Sequence, residues 1–324
     1  MILEHHVGGW RALTAVSDHL SMTVLPERGA EVHALVDRAS GVDVLFHAPW
    51  GLTPPGAPPR EGWDGHAFLA SYAGGWQELF PSCNDPCTHR GRAIGFHGEV
   101  AAIPWHVEPD GELALRCSID CATAPFRLER RLVLAPGAAR LTVDERVANT
   151  GDEDWECTWG HHLVLGPPLV GAGARFEPAA RTLVTIPEMW EDTARLEPGQ
   201  RSEWPHGRLR AGGTTDLRDL PGPEAGSHDD TYLTDLDAGT LRVANPELGR
   251  AFRLDWDPAV FRWIIAWMPF GGAHALPLAG AYALGVEPWV AQGSLAQAAA
   301  AGEALTVPAG GTLSTTLTIT LEPA

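Results

Sequence analysis

The chain contains no lysine; all 23 of its basic residues are arginine, a bias of the kind a GC-rich genome imposes on codon choice. Without lysine there is no side-chain amine for a Schiff base and no phosphate-loop lysine for a nucleotide. Long apolar runs are missing as well. No window approaches the about 18 uninterrupted apolar residues that a membrane-crossing helix needs. The opening stretch MILEHHVGGWRALTAVSDHLSMTVL lacks the basic start and apolar run of a secretory signal. Positive charge is scarce, with a net charge of -18 at pH 7. Nucleic acids and anionic membranes are both held by basic patches. Neither partner is expected, and the cytoplasm is the expected compartment.

Several catalytic signatures are also absent. There is no G-x-S-x-G for a serine nucleophile elbow and no G-x-G-x-x-G after a strand for a dinucleotide. The five cysteines are Cys83, Cys87, Cys117, Cys121 and Cys157. Their odd number leaves a free thiol and suits a reducing compartment. Cys83/Cys87 and Cys117/Cys121 each have three residues between them, which is not the paired C-x-x-C of a zinc site, and no metal is expected. Tyrosine is limited to Tyr72, Tyr232 and Tyr282. A lyase or hydrolase that works through a tyrosine has few places to put it.

What remains is a globular composition, 44% hydrophobic and 20% charged over 324 residues, enough apolar material for a large core. Strand patterning dominates. Leu141, Val143 and Val147 share one face of an alternating run, with Thr142, Asp144 and Arg146 opposite. The turn Ala135–Ala139 joins that run to Arg131–Leu134 as a hairpin. Leu313, Leu317, Ile319 and Leu321 repeat the pattern near the C-terminus, and Val24–Val36 and Val42–Phe46 read as further short strands. Helical periodicity is confined to the alanine-rich Ser294–Ala304. Pro49–Trp63 holds five prolines and reads as a surface loop, either a lid or decoration. No break in composition divides the chain, so residues 1–324 are expected to form a single domain. Many short strands between Gly, Pro and Asp turns predict an all-β fold, a large antiparallel β-supersandwich.

Four places put polar groups into apolar, strand-like sequence: Gly95–Val100 with His97, Trp159–Leu165 with His161 and His162, His228–Tyr232, and Gly285–Trp289 with Glu287. Successive side chains of a strand point to opposite faces, so only one of His161 and His162 can face a site. His228-Asp229-Asp230 reads equally well as a turn. The Gly98 that follows His97 allows a close backbone approach. A set of histidines and carboxylates suits proton transfer on a hydroxylated ligand, and the 13 tryptophans supply aromatic faces for sugar C–H surfaces.

In order along the chain, Gly74–Pro81, Phe96-His97-Gly98, Arg130–Leu165, Gly285–Pro288 and Ala298–Leu321 resemble the corresponding segments of the aldose 1-epimerase (galactose mutarotase-like) family. The resemblance implies a sugar site on a concave sheet face, with neither metal nor organic cofactor in the chemistry. It implies Glu287 as the base that takes the proton from the anomeric hydroxyl. It implies His162 as the acid at the ring oxygen, His97 as a polarising partner and His161 on the opposite face or behind His162. Asp229, three residues before Tyr232, matches the family's sugar-hydroxyl binder, with Asp230 as its near alternative.

The sequence also departs from the family. The family carries a sugar-binding arginine roughly two dozen residues before its first histidine, and here Ala73–Gln77 has none. Gln77, Arg90 and Arg92 are the candidate replacements, and the two arginines would suit an anionic sugar. The expected activity is mutarotation of a monosaccharide or sugar derivative by a monomer or homodimer. The alternative is a non-catalytic carbohydrate-binding protein on the same fold.

Overall fold

The structure, a computed structural model, describes residues 1–56, 65–274 and 276–324. It is 51% strand and 6% helix, and among the described residues the pairings between named strands are antiparallel. Nineteen strands join one hydrogen-bonded network.

The network folds into two facing layers. One runs through Trp10–Val16, Leu20–Leu25, Glu31–Asp37, Trp76–Leu79, Gly160–Leu165, Glu287–Trp289 and Trp263–Phe270 to the first half of the long strand Ser227–Asn245. The other runs through Ala114–Asp120, Phe126–Leu134, Arg140–Asn149, Thr312–Glu322 and Arg250–Asp255 to the second half of the same strand. Ser227–Asn245 therefore belongs to both layers. It turns the corner near Asp235, whose φ is 54°, opposite a bulge at Pro178/Ala180 in its neighbour. The apolar faces of the layers meet around Trp76, Phe80, Phe126, Trp159, Phe176, Phe252 and Phe261, all fully buried.

The expected hairpin forms with Leu134 facing Leu141 and Leu128 facing Val147. Val24–Val36 is two strands, Leu20–Leu25 and Glu31–Asp37, parted by a turn. The alanine-rich segment is the helix Leu295–Ala301, held by a capping box between Ser294 and Gln297. His228-Asp229-Asp230 is strand, not turn. Of the proline-rich loop, residues 57–63 lie outside the described residues. Beyond it, helix α1, Gly65–Ser71, lies against the first layer.

Candidate active site

Five adjacent strands of the first layer bring distant residues together. Gln77 faces His162, Gly160 faces Trp289, Ile265 faces Glu287, and Trp267 faces Asp230. Alternation puts His162 on the outer face with Gln77, while His161 and Glu78 point between the layers. His162 Nε2 lies 3.8 Å from Glu287 Oε1. The carboxylate reaches that point because Gly285 has no side chain; a Cβ there would lie 2.6 Å from Glu287 Oε1.

His97 arrives from a loop, and its ring centroid is 5.6 Å from that of His162. The Asn84 N–H donates to His97 Nδ1 at 3.1 Å, so the neutral ring carries its proton on Nε2. His97 has a φ of 59°, a left-handed conformation that costs a non-glycine residue about 1–3 kcal/mol and concentrates at functional sites. Gly98 beside it packs on the backbone; a Cβ would lie 2.2 Å from the Phe80 carbonyl oxygen.

The opposite wall is His228 and Asp230. Trp267 Nε1–H donates to His228 Nε2 at 2.8 Å, which puts the His228 proton on Nδ1. Asp230 Oδ2 lies 3.6 Å from the same Nε2. Phe68 of α1 and Tyr72 just beyond it form the roof. Phe68 is edge-on to both His97 and His162, at 4.7 and 5.4 Å, and Tyr72 is edge-on to His162 at 5.0 Å. Exposure of the polar groups beneath runs from 2% at Glu287 to 8% at His162.

Burial sets the proton affinities. It pushes His162 and His228 down to about 4 and His97 well below the usual imidazole range, so all three rings are neutral near pH 7. Burial, reinforced by Asp230, holds Glu287 well above the usual carboxylate range. Burial and the charge of Asp229 push Asp230 up to about 8. The site thus pairs proton-holding carboxyls with proton-poor imidazoles.

Other sequence candidates lie elsewhere. Asp229 faces away from the pocket. Its Oδ1 accepts the backbone N–H of Arg195 and Leu196 at 2.8 and 2.9 Å, and its Oδ2 accepts Arg195 Nε at 2.8 Å. One residue along the strand, Asp230 faces the pocket. Arg90 pairs with Glu156 at 2.9 Å, and the Arg90 and Arg92 guanidiniums sit over Trp155 at 5.1 and 6.0 Å, so neither serves the pocket. Gln77 shares the outer face with His162. Its amide nitrogen is held by Glu31 and the Gly74 carbonyl, leaving the buried Oε1 unpartnered.

His161 is fully buried between the layers and cannot touch a ligand. Trp76 Nε1–H donates to its Nδ1 at 3.1 Å, and its Nε2 lies 3.3 Å from Glu145 Oε2. Arg130 Nε bridges Glu78 at 3.1 Å and Glu145 at 2.9 Å, and Trp159 Nε1–H also donates to Glu78. Glu78, Glu145 and His161 present ligand atoms within 4.8 Å of one another, and Arg130 Nε, in contact with both carboxylates, already supplies a positive charge there. No contiguous motif marks this cluster in the sequence. The signal was there: Arg130 and Glu145 are charged residues on the apolar faces of alternating strands.

The comparisons agree with this architecture. The protein named provisionally as an aldose 1-epimerase from Klebsiella pneumoniae subsp. pneumoniae superposes with a TM-score of 0.74 at 16% identity, over 98% of this chain and 81% of that one. Galactose mutarotase-like proteins from Lactobacillus casei (TM-score 0.62, 17% identity, 96% and 100% covered) and Clostridium acetobutylicum (0.65, 13%, 100% and 99%) have the same fold. No curated protein matches the sequence. The fold is thus galactose mutarotase-like, and the family model that matches residues 8–321 makes the chain a member of DUF4432, a domain of unknown function.

Proposed function

We propose that residues 1–324 act as one unit, a mutarotase that interconverts the anomers of an aldose or aldose derivative. The observation that carries this reading is the approach of Glu287 Oε1 to His162 Nε2, 3.8 Å apart, beside His97 and under an aromatic roof. Ring opening needs a base at the anomeric O1 hydroxyl and an acid at the ring oxygen. Rotation about C1–C2 and reclosure then give the other anomer. Glu287 is the base, His162 the acid, and His97 Nε2–H donates to the same region. Asp230 and His228 take the sugar hydroxyls on the opposite wall, and Trp267 offers a face to its C–H surface.

The protonation states are consistent with these roles. Carboxylate plus imidazolium holds the same single proton as carboxylic acid plus neutral imidazole, so the pair works wherever it carries one proton. It carries one between the lowered pKa of His162, about 4, and the raised pKa of Glu287. Activity is expected to fall on the acid side as the pair gains a second proton, and on the alkaline side as it loses its last.

The test is anomer exchange by NMR over a panel of aldoses, hexose 6-phosphates and uronic acids, with wild type and Glu287→Gln in parallel. Exchange accelerated by wild type and not by Glu287→Gln supports the reading and identifies the sugar. Sugar-induced shifts in protein resonances without any acceleration would replace it with a binding protein.

A further inference from the structure

Tyr72 has an unusual setting. Its hydroxyl is buried and has no hydrogen-bond partner, and the residue is 3% exposed. A phenol buried in this way ordinarily finds one. Its ring is edge-on to His162 at 5.0 Å and to Trp267 at 6.3 Å, so it spans the two walls of the pocket. Phe68 and Phe46 stack on it at 5.6 and 6.4 Å. Its backbone is fixed from outside the pocket: Trp50 Nε1–H donates to the Tyr72 carbonyl at 2.8 Å, and Arg28 Nη2 to the neighbouring Ser71 carbonyl at 2.7 Å. Arg28 is itself spent on Glu31 at 3.0 Å. The segment is thus positioned by an arginine that does not enter the site, and it delivers a tyrosine instead. Tyr72 stands 25 residues before His97, directly before the stretch Ala73–Gln77 that lacks the expected arginine.

We infer that Tyr72 is a ligand-reading residue of this site, whose hydroxyl donates a hydrogen bond to a sugar hydroxyl where a cation would otherwise bind. The inference rests on the sugar reading above and specifies how one wall of that site recognises its ligand. Burial, with Glu287 and Glu31 nearby, pushes the phenol well above its usual range. It therefore stays protonated, a donor rather than a general base, which also counts against tyrosine-driven lyase chemistry. A neutral donor leaves the charge of Glu287 without a fixed counter-cation on this side. An arginine in the same place would stabilise the carboxylate and lower its proton affinity.

The experiment uses the whole chain with galactose, glucose, xylose, arabinose, glucose 6-phosphate and glucuronate as probes. Tyrosine labelled with 13C at Cζ gives one resonance for each of the three tyrosines, assigned by single Phe substitutions. The Tyr72 resonance is expected to move on saturation with the bound sugar while that of Tyr282 stays in place. Tyr72→Phe keeps the ring packing and is expected to weaken binding and raise KM about tenfold, the scale of one neutral hydrogen bond, with kcat within a few-fold and Tm unchanged. A Tyr72 resonance that does not move at saturation, or a Tyr72→Phe variant that binds sugar like wild type, overturns the inference and leaves the mutarotase reading standing. A wild type that binds none of the probes overturns both.

Discussion

The two faces of the strand Gly160–Leu165 carry the same kinds of residue to opposite ends. Outward, His162 meets Glu287, with Asp230 on the facing wall. Inward, His161 meets Glu145 and Glu78. Each face combines imidazole with two carboxyls, and each is buried. The difference is Arg130. Its guanidinium binds both inward carboxyls and lowers the cost of ionising them. Among the described residues, no arginine is paired with Glu287 or Asp230, so their charge is settled by protons. A cation makes such a cluster structural; its absence leaves protons free to move, which is what acid–base chemistry requires.

The sharpest test removes the proposed outward base. Glu287→Gln is expected to slow anomer exchange by about 10²–10⁴-fold with Tm unchanged or raised, since it removes a buried ionisable group. A loss of Tm parallel to the loss of rate would make Glu287 structural, like Glu145. The matching inward change is Arg130→Met. It leaves two buried carboxyls without a cation and is expected to cost about 3–5 kcal/mol of stability, read from denaturant midpoints. Combining it with Glu78→Gln and Glu145→Gln should restore part of the loss. If Arg130→Met is as stable as wild type, the inward cluster is not held by its cation.

In the pH dependence of stability the two faces act together. Burial and Glu145 push Glu78 from 4.5 to about 7. A folded pKa above the unfolded one gives stability that is full below about 4.5 and lost as pH rises towards 7. Glu145, Asp230 and Glu287 are raised too and act in the same direction. Buried His161, His162 and His228 are lowered from 6.5 to about 4. Their contribution is present above 6.5 and lost as pH falls towards 4. Tm is therefore expected to peak in mildly acidic solution and fall on both sides. Glu78→Gln should flatten the alkaline side, and an unaltered slope would show that Glu78 does not titrate there. The smallest effect is expected from Asp229→Asn, which frees Arg195 at a cost of about 1–3 kcal/mol and leaves anomer exchange within a few-fold of wild type. A collapse of activity would return Asp229 to the site.

The strands were legible because their apolar residues alternate, and the hairpin because its turn is short and marked by Pro and Gly. The choice of His162 over His161 followed from alternation once the match to the family fixed a register. The same alternation places Asp229 away from the pocket: two adjacent acids lie on opposite faces, and a motif match one residue out selects the other face. Arg90 and Arg92 looked available because the sequence does not show Trp155 and Glu156 beside them. Tyr72 and Phe68 carry no local signal for a roof; only the fold brings α1 over His97 and His162.

The strand Thr312–Glu322 seals the molecule by pairing with Arg140–Asn149 on one side and Arg250–Asp255 on the other. Thr316 reaches Asp144 across 172 residues. Contacts this distant in sequence form late and slow folding. During synthesis, the edges of Arg140–Asn149 and Arg250–Asp255 stay unpaired until the ribosome has released the strand that joins them. The nascent chain is then most open to pairing with another copy of itself, and a shortened Thr312–Glu322 strand should lower the yield of folded protein before it alters any property of the finished site.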